Sequence, residues 1–176
     1  MVLRQIVGGF GRNLPASIFV VLHTRIEGPS RLPAILTRSG SLPATHAEDG
    51  EPILRGRIYV APPGCDLVIE PGVVRLDCRG SARKHRPSID ILFQSAARIY
   101  CSEVVGVLLS GSDQDGSAGL LEIQQSGGAT IVQDPRDSQF SDMPNAAIRN
   151  GSAGHVLKTG DISNCIGRLV RGAAAA

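Results

Sequence analysis

Tryptophan is absent from this chain, and aromatic residues fill only 3% of its 176 positions. Without rings on which bases could stack, and with a formal net charge of only +2, the sequence lacks both the platform and the electrostatic footprint of a nucleic-acid binder. No apolar run is long enough to span a bilayer, and the opening MVLRQIVGGFGRN is too short in apolar residues for a secretory signal. Membrane insertion is therefore not expected. Neither a GxGxxG nor a GxxxxGK phosphate loop occurs, which disfavours a nucleotide-binding protein. The four cysteines, Cys65, Cys78, Cys101 and Cys165, form neither a CxxC pair nor a Cys/His zinc spacing. Free thiols in a reducing, cytoplasmic setting account for them most simply. Glu48, Asp49 and Glu51 have no histidine at ligand spacing and read as turn and surface charges. No metal or cofactor is expected.

What is present is a 42% hydrophobic chain, enough to build one core, read as one domain over 1–172 with a tail at 173–176. Val2, Leu3, Ile6 and Val7 recur at helical spacing. SIFVVL, Ser17 to Leu22, is a buried strand ending on His23. Gly28-Pro29-Ser30 opens a helix that runs to Arg38 and stops at Gly40. RIYVAP, DLVIE and VVRLD, separated by Pro and Gly, read together as a β-hairpin region. Ser88 caps an amphipathic helix that reaches Tyr100. Val104 to Leu109 is a wholly apolar strand. Ser117 to Ser126 is a helix closed by Gly127 and Gly128, and ATIVQ is a further strand. A polar loop then enters a short helix from Pro144, and HVLK and DISNCIGRLV complete the pattern. Strands alternating with helices give a three-layer α/β/α, Rossmann-like architecture, its sheet mostly parallel with one antiparallel β-hairpin insertion.

The chemistry concentrates where the strand ending at Leu109 breaks into SGSDQDG. Strand carboxyl ends and helix amino ends meet at such turns in open α/β sheets. Asp115 has two readings: a helix N-cap accepting from the amides of Ser117 or Ala118, or the acid that orients a histidine in a hydrolytic triad. Asp113 reads as a solvated turn residue. His23 is either a general base at a strand tip or a histidine satisfied by backbone. Arg83, Lys84, His85 and Arg86 make a local cationic cluster that reads as solvated.

Several stretches, VVLH, AEDGEPILRGRIYVAPP, HRPSIDILFQSAA, VVGVLLSGSDQDGSAGL, GGATIVQDP and DMPNAAI, resemble the catalytic domain of the CheB chemotaxis methylesterases, in that family's order. The resemblance runs from about Pro15 to Val170. It implies a serine hydrolase that removes methyl groups from glutamate esters on the cytoplasmic helices of chemoreceptors, with some members also deamidating glutamine. By resemblance His23 matches the family's histidine and Asp115 the aspartate of its LTGMGxDG motif.

Two departures accompany it. The family's first strand ends in a GAS-x-GG turn whose serine is the nucleophile; here no serine precedes Ser17, and IVGGFG is not that context. The expectation is an N-terminally shortened domain that lacks the nucleophile serine and one interior strand, and is weak or inactive. A receptor-binding module of the same fold is the alternative. The family's methionine and following glycine in LTGMG fall on Ser112 and Asp113, which alters the turn.

Overall fold

The computed structural model describes residues 1–23, 30–79 and 86–173. The expected helix opening at Gly28-Pro29, the basic residues Arg83, Lys84 and His85, and most of the alanine tail lie outside the described residues. Helix α1 (Val2–Gly8) leads to strand β1 (Ile18–Val20), then α2 (Leu32–Ser39), β2 (Ala44–His46), β3 (Ile58–Val60), β4 (Asp66–Glu70) and β5 (Val73–Asp77). The second half runs α3 (Ile89–Tyr100), β6 (Val105–Leu108), α4 (Ser117–Gln125), β7 (Ala129–Gln133), α5 (Asp142–Arg149), β8 (His155–Leu157) and α6 (Thr159–Ala173).

Among the described residues the parallel strands form two sets, ordered β1-β3-β2 and β6-β7-β8, with β4 and β5 as a separate antiparallel pair. β1 and β6 each stand at the end of their set. Side chains alternate across these strands with period two, and the alternation builds the layers. Ile58, Val60 and Ile131 pack with Ile6, Val7, Leu36 and Ile162 beneath α1, α2 and α6. Tyr59 turns the opposite way, against Leu67, Ile69, Val74 and Leu92. Val132 and Leu108 meet Ile89, Leu120 and Ala147 beneath α3, α4 and α5. Each such fully buried aliphatic side chain contributes about 1.5–3 kcal/mol. The three-layer, mostly parallel reading describes this arrangement.

Two local expectations change. RIYVAP is not part of the hairpin: β3 is the middle strand of the first parallel set, between β1 and β2. Its residues are buried on both faces, which alternating hairpin strands are not; the following Pro62-Pro63-Gly64 does turn, the Cys65 amide donating to the Pro62 carbonyl at 3.3 Å, but the turn leads into the separate β4–β5 pair and does not fold β3 onto β4. The hairpin is DLVIE with VVRLD, closed at Pro71-Gly72, where Gly72 takes φ +76°. The short helix α5 begins at Asp142, two residues before Pro144, so the proline sits within the first turn.

The thiol expectation also changes. Cys65 and Cys78 form a disulfide, with Cα atoms 4.2 Å apart, while Cys101 and Cys165 are free. Asp66 pairs with Asp77 across the hairpin, so the residues just outside that pair face each other. The signal was available: two cysteines equidistant from a Pro-Gly turn between alternating strands are cross-strand partners if the hairpin forms in register.

Two glycines fix how closely the second-half elements approach. A Cβ on Gly119 would lie 2.6 Å from Phe93 Cβ and 3.0 Å from the Asp90 carbonyl oxygen, so α4 crosses α3 at backbone distance. Gly116 takes φ +91° and precedes α4 as its N-cap.

Candidate active site

The candidate site forms where the chain leaves β1 and β6 at their carboxyl ends. The β1 ladder stops at the bond from Ala61 N–H to the Val20 carbonyl, and three residues later comes His23. Beyond β6 the turn is held from below: the Ser110 amide donates to buried Gln133 Oε1 at 2.9 Å, and the Gly111 amide donates to the Phe140 carbonyl at 3.0 Å. Gly111 in turn accepts from the Met143 amide at the start of α5. These bonds fix the start of the turn that carries residues 112–115.

His23 Nε2 lies 2.8 Å from Asp115 Oδ2, joining residues 92 apart in sequence. Their side chains are 21% and 10% exposed, so the contact is partly screened from water. Asp115 is indeed a cap, but not of its own helix. Its Oδ2 accepts the Ile89 amide at 2.6 Å, and its Oδ1 accepts the Asp90 amide and the Ser88 hydroxyl, each at 3.0 Å. It therefore closes the amino end of α3, whose exposed N–H groups and dipole favour a negative charge. The expected bonds from Ser117 and Ala118 give way to this because Gly116, with its left-handed conformation, starts α4 and directs the aspartate away from it. One carboxylate thus caps α3 instead of its own helix and at the same time contacts His23.

Burial alone would raise the Asp115 acid. The bond to His23, the amides of Ile89 and Asp90 and the Ser88 hydroxyl outweigh it and hold the carboxyl at about 2. His23 is raised above its ordinary value, first by the hydrogen bond to Asp115, against the opposing effect of burial, and further by the charges of Asp115 and Asp113. Asp90 is pushed up, chiefly by burial and against the bond it accepts from the Gly119 amide at 2.7 Å. That bond ties the first turn of α3 to α4.

Sequence reasoning missed three contributors. Asp113, read as solvated, places Oδ2 3.2 Å from His23 Nδ1 and accepts the Asp115 amide on Oδ1 at 2.8 Å. Ser88, read only as the cap of α3, also donates to Asp115. Arg86, read within a solvated cluster, is an anchor: its guanidinium meets the buried carboxylate of Asp66 at 2.9 Å and 3.0 Å and Asp77 at 3.4 Å. Asp66 also accepts the Ser88 amide at 2.9 Å, which couples the hairpin to the start of α3. Only Asp113 had a sequence signal, its spacing of two from Asp115, which is the reach of an Asx turn. His85 lies outside the described residues. Among the described residues no group of three or more His, Cys, Asp or Glu is arranged to hold a metal ion, and no helix is long and apolar enough to cross a membrane.

Chemically, this is an imidazole whose protonated form is stabilised by a carboxylate that remains ionised. Such a dyad accepts a proton from a hydroxyl or water and keeps it on the ring. The profile of the CheB methylesterase family matches residues 1–166. A protein-glutamate methylesterase/protein-glutamine glutaminase of Anaeromyxobacter dehalogenans is 36% identical over 169 residues, covering 96% of this chain and 50% of that protein. One from Methanospirillum hungatei is 41% identical over 155 residues, covering 83% of this chain and 42% of that protein. The chain thus spans about half the length of these curated relatives. The crystal structure of the Thermotoga maritima CheB methylesterase catalytic domain superposes with a TM-score of 0.86 at 31% identity, covering 96% of this chain and 92% of that one.

Proposed function

We propose, from the premise that the chain belongs to the CheB methylesterase family, that residues 1–172 form a cytoplasmic methylesterase domain acting on chemoreceptors. The reaction cleaves methyl esters of glutamate side chains on receptor helices to carboxylate and methanol, and the same site suits deamidation of glutamine. The observation that carries this reading is the 2.8 Å contact between His23 and Asp115.

In this reading Asp115, bonded to Nε2, leaves Nδ1 as the nitrogen that takes the proton of an attacking hydroxyl. The carboxylate then stabilises the imidazolium, and the ring returns the proton to the departing methoxide. The resemblance assigns the attacking hydroxyl to a serine in a GAS-x-GG turn ahead of the first helix. A second reading, a receptor-binding module without turnover, is favoured by the Asp113 carboxylate that faces Nδ1.

The test is methanol release from a methylated receptor fragment, by this chain alone and by a form to which a strand ending in a GAS-x-GG turn has been added before Met1. The expected result is release that falls by at least about 10³-fold in His23→Ala. Release indifferent to His23→Ala refutes the esterase reading. Binding of the methylated helix with no methanol from either form establishes the second one.

A further inference from the structure

We propose that Asp113 is a positioning residue that gates the imidazole: its carboxylate faces His23 Nδ1 and favours the doubly protonated ring, so that Nδ1 takes a substrate proton only once this contact opens. That the ring is a catalytic base rests on the esterase reading above. The clamp itself does not.

A neutral imidazole has one N–H and one lone pair, whereas the imidazolium has two N–H donors. His23 has Asp115 Oδ2 at 2.8 Å from Nε2 and Asp113 Oδ2 at 3.2 Å from Nδ1. With one proton, one of these carboxylates faces a lone pair at close range; with two, both contacts are attractive. Asp113 is also fixed toward the ring, because its Oδ1 holds the Asp115 amide at 2.8 Å. One short turn therefore aims both carboxylates at the same imidazole.

Charges from the surrounding described elements reinforce this. The β6–α4 turn contributes Asp113 and Asp115. The first turn of α3 contributes Asp90, which touches the Asp115 network rather than the ring. Arg86, the cation on the far side of Ser88, is engaged by Asp66 and Asp77. The raised titration of His23, due first to Asp115 with Asp113 adding to it, follows the same geometry. A glycine at this position, as in the motif that residues 109–116 resemble, has no side chain to make the second contact.

The experiment is a histidine titration by nuclear magnetic resonance on the full chain labelled with ¹⁵N in the imidazole rings, the His23 signal being assigned by its loss in His23→Gln. In the wild-type chain at about pH 6.5, the ordinary histidine midpoint, the His23 ring is expected to be mostly doubly protonated, because its value is raised. Asp113→Asn keeps an oxygen for the Asp115 amide but removes the charge, and is expected to lower the His23 midpoint by about one unit or more. Asp113→Glu is expected to restore part of that shift. An unchanged midpoint in Asp113→Asn overturns the proposal, as does a singly protonated wild-type ring, which needs no variant to observe. No substrate is used, so a failed methanol assay leaves this result standing. In turn, a failed titration leaves the esterase reading standing.

Discussion

Truncating Asp115 to alanine removes one carboxylate and strands four partners: the His23 ring, the Ser88 hydroxyl, and the amides of Ile89 and Asp90. The magnitude follows from the depressed acid. Its pKa falls from 3.8 to about 2 on folding, and each unit is worth about 1.4 kcal/mol. The folded state thus favours the ionised carboxyl over the neutral one by about 2–3 kcal/mol. Loss of the α3 cap costs about 1 kcal/mol by itself. It overlaps the first figure, because the same amide bonds enter both, so the expected loss is about 2–4 kcal/mol.

The pH dependence has a definite sign. A depressed acid stabilises fully above its unfolded value of 3.8 and loses that contribution as pH falls through about 2. The raised histidine stabilises fully below 6.5 and loses its contribution as pH rises through its folded value, which lies above that. The wild-type advantage over Asp115→Ala should therefore peak near pH 5 and shrink on both sides. Urea unfolding followed by circular dichroism at about pH 3, 5 and 9 measures it. A difference below about 0.5 kcal/mol, or one flat across this range, refutes the reasoning.

Two further outcomes test the frame around the site. Gly119→Ala gains about 1 kcal/mol of helix propensity, but its Cβ would sit 2.6 Å from Phe93 Cβ and 3.0 Å from the Asp90 carbonyl. Overpacking against backbone costs about 1–3 kcal/mol, so a lowered thermal midpoint is expected, and a raised one would show that α3 and α4 part easily. For the cysteines, a thiol reagent should find Cys101 in the native chain, Cys101 and Cys165 after unfolding, and all four residues only after reduction. Four reactive thiols in unreduced, unfolded protein would remove the Cys65–Cys78 bridge.

Much of this fold was legible because its strong signals are local. Apolar runs such as Val104 to Leu109 and the three- and four-residue spacing of Ile89, Leu92, Phe93 and Ala96 each specify one element without help from the rest. β2 was not legible: Ala44–His46 is three residues with a threonine at its centre, and its strand character comes from pairing with β3. β3 was assigned to the wrong partner for a related reason. Local sequence marks a strand, but the choice between an adjacent hairpin and a crossover rests on burial over both faces. At the site, the strand-tip histidine and the turn aspartate could be named because apolar runs led up to them. Arg86 and Asp66 could not, since an ion pair across 20 residues leaves no periodic trace.

Asp115 is not a bare carboxylate beside an imidazole, because the amides of Ile89 and Asp90 at the head of α3 already consume much of its basicity. An acid held at about 2 next to a histidine raised above 6.5 does not take the ring's proton. The proton stays on the imidazole, and the carboxylate acts through its charge and its direction. Gly116 makes both possible: a side chain there would meet Leu108 Cδ1 at 2.6 Å and Ile89 Cγ2 at 2.7 Å, besides opposing φ +91°. Any bulkier residue would push the turn off the start of α3, and Asp115 would lose the amides that keep it ionised. The same helix end that stabilises the fold therefore sets the protonation state of the dyad, and a substitution at Gly116 should weaken both together.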